Sequence, residues 1–324
     1  MRLSLKTAML ISIGFLGSLP SAWAQSYPSR PIHLILPYSP GGIIDFAGRA
    51  LGQQLSQVLG QTVVPENRPG AGGIAGTDVV ARSTPDGYTL LFMDPAIVIN
   101  PSLQPSIPYD LFRQLKTVSI VSSSPEVLVM APELKVNSLA ELIEYGKKNP
   151  GKLNYASAGV GTTPHLAAEL LKMRTGIAAA HVPYRSIGES FPDLITNRVQ
   201  FAFSSIAGAM PFTSSNQVRT LATTGTVRSP VFPDVQTVAE AGVDGFEVDL
   251  WLGVFAPSDV PKPVLEKLNA AIRQALGNPE LKAAFLKSGI TTRGASLEDS
   301  DAMVRSEFEK WKKVIETSGA KTSQ

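Results

Sequence analysis

The sequence predicts an α/β fold in two lobes, each a mainly parallel sheet flanked by helices. Three observations carry this. Strand-like apolar runs alternate with amphipathic helical segments, the order that builds parallel sheets with crossover helices. About 300 residues follow the N-terminal leader, more than one core usually organises. One unit occurs twice: a strand, a loop of small residues rich in glycine, then a helix, at 32–60 and again at 153–176.

Residues 1–24 read as a secretory leader, with Arg2 and Lys6 ahead of the apolar stretch Met9–Leu19 and the small-x-small pattern Ala22-Trp23-Ala24. That core is too short for a membrane span, and no later stretch reaches about 20 apolar residues. The expectation is export to a bacterial periplasm with cleavage before Gln25. With no cysteine in the chain, a lipid anchor, disulfides and thiolate metal sites are all excluded. Of 29 Lys and Arg, Arg2 and Lys6 leave with the leader, so 27 remain against 27 Asp and Glu. That balance gives no reason to expect nucleic acid or an anionic membrane surface as a partner, and the mature chain is not expected to insert in a membrane.

The elements follow in order. Ile32–Leu36 is a strand and Phe46–Leu59 a helix with Ala47, Ala50, Leu51, Leu55 and Val58 on one face. Gln61–Val64 is a strand, Ile74–Arg82 a short helix, and Pro85-Asp86-Gly87 turns into the strand Tyr88–Met93. Asp94–Phe112 is rich in proline and reads as irregular. Thr117–Met130 is extended and would cross into a second lobe. Leu139–Lys148 is a helix capped by Ser138 or Asn137. The strand Leu153–Ala156 leads into the central helix, with Thr163 as N-cap, Pro164 at its first position and Gly176 ending it. The strand Ala178–Val182, a helix ending near Asn197, and strands Val199–Phe203 and Val218–Thr223 follow. Val235–Ala241 reads as a short helix and Phe246–Phe255 as extended. Lys262–Leu276, Pro279–Ser288 and Leu297–Thr317 are helices.

The loop Ser157–Thr163 is nearly all Gly, Ala, Ser and Thr. Such a loop lets a ligand approach the backbone, and the helix start offers unpaired N–H groups and a positive dipole end. Tyr38-Ser-Pro-Gly-Gly-Ile-Ile-Asp45 repeats the logic upstream. Two such loops suggest one anionic ligand held from two sides; an ordinary strand-to-helix turn is the alternative for either.

Other chemistries fit less well. Gly70-Ala-Gly72-Gly-Ile-Ala75 resembles a dinucleotide fingerprint, but Glu66-Asn-Arg-Pro69 separates it from its strand. No cofactor is expected. Tyr155-Ala-Ser157-Ala-Gly159 has Tyr155 where a nucleophile elbow needs glycine. A periplasmic serine hydrolase using Ser157 and His165 is kept as the second reading, with His33 and His181 read as structural. No metal-ligand spacing is present.

The motifs taken together resemble the Bug family, the periplasmic solute receptors of tripartite tricarboxylate transporters. They are Tyr38–Asp45, Glu66-Asn-Arg-Pro-Gly-Ala-Gly-Gly73, Pro85–Leu90, Ile99-Asn-Pro-Ser-Leu103, Leu153–Gly159, Gly161-Thr-Thr-Pro-His-Leu-Ala-Ala-Glu169, His181–Tyr184, Pro233–Gly242 and Gly253–Pro257, in family order over the whole mature chain. The resemblance implies a type II periplasmic binding fold, a Venus flytrap with residues 25–122 and 224–324 in one lobe and 123–223 in the other. It implies a non-enzymatic receptor that takes a small carboxylate-bearing solute, a di- or tricarboxylate, amino acid or aromatic acid, for membrane permease subunits or a sensor domain. Its ligand loops carry over to Tyr38, Ser39, Gly41, Gly42 and Asp45 on one side, and to Ser157, Gly161, Thr162, Thr163 and His165 on the other. This chain departs from the family in having Ile43-Ile44 where Pro-Thr is frequent, Asp94-Pro95-Ala96 where small hydroxyl residues are frequent, and Ser204-Ser205 where an acid is frequent after Phe203.

Asp94 follows the strand Tyr88–Met93, and open sheets bind ligands beyond the carboxyl ends of their strands. Two unit charges about 6 Å apart at an effective dielectric near 20 repel by roughly 3 kcal/mol. A carboxylate facing the cleft would therefore favour a solute with an amine of its own. The alternative is that Asp94 starts the turn at Pro95 and points away.

Overall fold

The computed structural model describes residues 27–104 and 106–320; the leader lies outside the described residues. In chain order the first elements are β1 (Ile32–Leu36), α1 (Ile43–Leu59), β2 (Val63–Asn67), α2 (Ile74–Ala81), β3 (Thr89–Met93), α3 (Ala96–Leu103), α4 (Leu111–Gln114) and β4 (Leu115–Ser123). The next are β5 (Glu126–Met130), α5 (Leu139–Lys148), β6 (Leu153–Ser157), α6 (Thr163–Thr175), β7 (Ala179–Pro183), α7 (Phe191–Ile195), β8 (Phe201–Ser205), α8 (Ile206–Ser214) and β9 (Arg219–Thr223). The last are β10 (Leu252–Pro257), α9 (Lys262–Leu276), α10 (Pro279–Lys287), β11 (Thr291–Thr292) and α11 (Leu297–Ser318).

Two sheets result, in the orders β11-β4-β10-β3-β1-β2 and β7-β6-β8-β5-β9. The strand–helix units pair in parallel, β1 with β2 and β3, and β6 with β7 and β8. The strands that enter from the other lobe pair antiparallel, β10 with β3 and β4, and β5 with β8 and β9. A connection that arrives from a neighbouring lobe has no crossover helix to reverse it, so both sheets are mixed.

The chain crosses between sheets twice. The extended run read at 117–130 breaks at Ser124-Pro125, with β4 in the first sheet and β5 in the second. The return runs from β9 to β10, and Pro125 pairs with Asp249 where the two crossings meet. The longest helix, α11, packs on α3 and β4 of one lobe and on α6 of the other. Its Trp311 and the crossing residue Trp251 are fully buried, and both indole N–H groups donate to Glu307.

Local chemistry explains most helix ends. Ser138 caps α5 by accepting from Glu141 N–H, and α1, α6 and α11 each stop at a glycine in the left-handed region. Three readings need correction. Residues 96–103 and 111–114 are helical rather than irregular: Ile97, Val98 and Ile99 are buried, and that burial outweighs Pro101 inside the helix. Val235–Ala241 is a set of turns: Thr237 and Glu240 bond reciprocally as at a helix start, but Gly242, at φ +98°, ends it. Thr162, not Thr163, is the N-cap of α6.

Candidate functional site

A cavity of about 530 Å³ lies between the lobes. One wall is α3 and the end of β3, through Asp94, Ile99, Asn100 and Leu103, with Tyr38 and Gly72 beside them. The other is the loop into α6, residues 160–164, with Ile187 and Ser205. Glu126 and Leu250 lie at the crossings between the two walls. The lobes touch across the cavity: a Cβ placed on Gly161 would fall 2.1 Å from Leu103 Cδ2.

The loop into α6 is shaped by its own polar groups. Ser157 Oγ accepts from Gly159 N–H, Thr162 Oγ1 donates to the Gly159 carbonyl, and Gly161 N–H donates to His165 Nδ1. Gly159 and Gly161 sit at φ +109° and +81°, which side chains disfavour. Because the Thr162 hydroxyl turns to Gly159, no side chain caps α6. Pro164 has no N–H and the Thr162 amide donates to the Gly159 carbonyl, which leaves the amide of Thr163, a cavity-lining residue, without an acceptor among the described residues at the positive end of the helix dipole.

Five of the residues singled out from sequence line the cavity: Tyr38, Asp94, Gly161, Thr162 and Thr163. Ser39, Gly41 and Gly42 are exposed and are not among the lining residues. Asp45 is buried beneath that loop, accepting from Gly41 N–H, Asn67 Nδ2 and Arg49 Nε. Burial opposes its charge, but these three donors outweigh it and hold the carboxyl below its ordinary range. Asp45 thus fixes the loop rather than facing the cavity.

Ser157 and His165 turn inwards. Ser157 Oγ lies 2.6 Å from Nε2 of His181, not against His165. The two imidazoles lie 4.3 Å apart, and His181 stacks on Tyr155 at 5.0 Å. Tyr155 donates to Glu169, which also takes Lys172. Burial, with His181 alongside, lowers His165 to about 4, and burial lowers His181 as well, so both rings are neutral near pH 7. Ser157 is fully buried and absent from the cavity wall, which gives the hydrolase reading no reachable nucleophile.

Asp94 starts the turn at Pro95 without pointing away from the cavity. Its Oδ1 accepts from Ala96 N–H at 3.1 Å, starting α3, and from the Tyr38 hydroxyl at 2.9 Å, while the residue lines the cavity. Burial raises its carboxyl despite these two donors.

Asn100 and Glu126 also belong to the wall, though neither is among the site residues expected from sequence. Asn100 donates to the Gly72 carbonyl and joins α3 to the loop before α2. Glu126 is 3% exposed, and its Oε2 has no hydrogen-bond partner. Burial, with Asp249 nearby, pushes its carboxyl up to about 8. An acid heading the apolar run Val127–Met130 was the available signal. Among the described residues no group of three His, Asp or Glu is placed to hold a metal ion, and no helix is long and apolar enough to cross a membrane.

The family model described as the tripartite tricarboxylate transporter family receptor matches residues 47–320. The chain belongs to this family. Protein BugT of Bordetella pertussis is 37% identical over 300 residues, covering 92% of this chain and 92% of that protein. Among solved structures, R. palustris Rpa4515 with adipate is 31% identical with a TM-score of 0.75, covering 91% of this chain and all of the other. The periplasmic binding protein BugD is 32% identical with a TM-score of 0.72 over the same shares. The fold is therefore the two-lobe type II periplasmic binding fold, and the family is one of receptors for solutes of tripartite transporters.

Proposed function

We propose that this chain is an extracytoplasmic receptor for a small carboxylate-bearing solute. In this reading the lobes 25–122 with 224–324, and 123–223, close on the solute and present it to the membrane permease subunits of a tripartite transporter or to a sensor domain. Export to the periplasm by a cleaved leader, residues 1–24, belongs to the same reading. The supporting observation is the uncapped start of α6 on the cavity wall. Its free Thr163 amide and the helix dipole favour an anion without any cationic side chain. The adipate bound by Rpa4515 is an anion of this kind in a relative of the same fold.

The Thr163 amide holds the carboxylate in this reading, with Gly161 and Thr162 shaping the wall around it, and Tyr38 lines the same cavity. Ser157, His165 and His181 hold the shape of the α6 loop from behind. The test is native mass spectrometry of freshly purified mature protein, followed by thermal shift with a panel of mono- and dicarboxylates. A co-purified acid, or a shift with one class of acid, is the expected result. Absence of both, with hydrolysis of an ester lost on Ser157→Ala, would replace this reading with the hydrolase.

A further inference from the structure

The cavity holds two carboxyl groups and, among its lining residues, no lysine or arginine. Asp94 stands at the end of β3 in one lobe, and Glu126 opens β5 at the crossing. Asp94 has donors for one oxygen, the Tyr38 hydroxyl and the Ala96 amide. Glu126 has none at Oε2, although it is 97% shielded from solvent by its 3% exposure. An unpartnered buried carboxyl is destabilising, and native proteins rarely keep one without a use for it.

We propose that Glu126 is the contact point of a cation subsite, with Asp94 a second carboxyl on the same cavity, and that the solute carries an ammonium group as well as a carboxylate. The proposal rests on the carboxylate-receptor reading above and specifies its ligand. The carboxylate goes to the start of α6 and the ammonium to Glu126, so each end of the solute meets the charge it lacks.

The groups facing Glu126 support the assignment. Its N–H donates to Thr224 Oγ1, and Ser205 is its register partner on β8. The charge that acts on it is Asp249, whose carboxylate accepts from Ser123 Oγ and Ser124 N–H and lies 3.9 Å from Arg293. Glu247 adds a further negative charge near Asp249. Arg293 is thus committed to Asp249, and nothing on the protein side neutralises Glu126. In the free protein near pH 7 Glu126 holds its proton, since its carboxyl titrates at about 8. An arriving ammonium favours the ionised form and releases that proton. A second carboxylate on the solute would do the reverse and keep it.

The experiment is isothermal titration of the wild type, Glu126→Gln and Asp94→Asn at pH 7, in phosphate and in Tris. The probes are matched pairs: adipate with 2-aminoadipate, succinate with aspartate, hexanoate with 6-aminohexanoate. Supporting results are an amine-bearing acid bound at least about tenfold tighter than its partner by the wild type, and that preference lost in Glu126→Gln and reduced in Asp94→Asn. Most of one proton should be released per solute in the wild type and none in Glu126→Gln, as read from the buffer dependence of the enthalpy. Equal or tighter binding of the amine-free acids, or an unchanged preference in Glu126→Gln, would overturn the cation subsite while leaving the receptor reading intact. If none of the six acids binds, the carboxylate-receptor reading fails, and the cation subsite with it.

Discussion

Gly161→Ala separates two effects that a single measurement would confuse. Gly161 sits at φ +81°, where a side chain costs about 1–2 kcal/mol. That cost is present whether the lobes are open or closed, so it lowers stability and cancels from binding. The new Cβ would also lie 2.1 Å from Leu103 Cδ2, and 3.3 Å from Cδ1 and Cγ, on the far wall. Carbon atoms settle about 3.5–4.0 Å apart, so the leucine must withdraw by well over an ångström. Leu103 is only 6% exposed and has little room, and overpacking of this kind costs about 1–3 kcal/mol. This second cost exists only with the lobes together. Affinity should fall roughly five- to hundredfold, since about 1.4 kcal/mol is one factor of ten. Removing the obstructing atoms by Leu103→Ala in the same chain should restore most of that loss while leaving the stability loss in place. The assay is titration calorimetry with the tightest acid of the panel, beside thermal melts of the two single variants and the double. Wild-type affinity in Gly161→Ala, with stability lowered, would show that closure does not bring this loop onto α3.

Two further outcomes concern the buried acids away from ligand. Glu126 has its folded pKa raised from 4.5 to about 8, so the stability its protonated form contributes is complete below about pH 4.5 and drains away as pH rises towards 8. Melts of Glu126→Gln and wild type should therefore diverge in favour of the variant by about 1 kcal/mol per pH unit across that window, and parallel curves would contradict it. Asp45 has the opposite sign: its lowered carboxyl contributes stability above the ordinary aspartate range that is lost as pH falls through it. Asp45→Asn should cost about 1–2 kcal/mol at pH 7 with affinity changed less than about threefold, since the side chain supports the 39–42 loop from beneath. A large affinity loss at full stability would place Asp45 in the site itself.

What was legible in the sequence was what local chemistry decides. The strand, Gly-rich loop and helix at 153–176 could be read because Thr, Pro and Gly punctuate it in the positions a helix start and stop require, with the cap displaced by one residue. The α3 wall was hidden by Pro95 and Pro101, which argue against a helix locally; only the burial of Ile97, Val98 and Ile99 against the rest of the lobe makes it one. Ser157 was read with His165, eight positions on, whereas the pairing of β6 with β7 sets Tyr155 opposite His181 and brings that histidine to the serine. Glu126 is the clearest case. Its neighbour Asp249 is far along the chain, and whether a carboxyl lacks a donor is a property of the folded crossing that no local pattern carries.

The cleft's own groups are unsatisfied in two opposite senses. At α6 it presents the Thr163 amide without an acceptor, because the Thr162 hydroxyl bonds the Gly159 carbonyl instead of capping the helix. At the crossing it presents a carboxyl without a donor, because Asp249 has taken the Ser123 and Ser124 groups and Arg293. Each would be cheap to remove: a hydroxyl turned back onto the helix start, or a glutamine at 126. Water can serve both while the lobes stand apart, but closure shuts it out, and each unpaired polar group then costs about 1–3 kcal/mol. A solute with a carboxylate alone satisfies one end and leaves Glu126 protonated and unpartnered at the other. A solute with both charges satisfies the two together, and it does so most fully when the lobes are shut. The differential affinity that drives closure then comes from the same groups that choose the ligand.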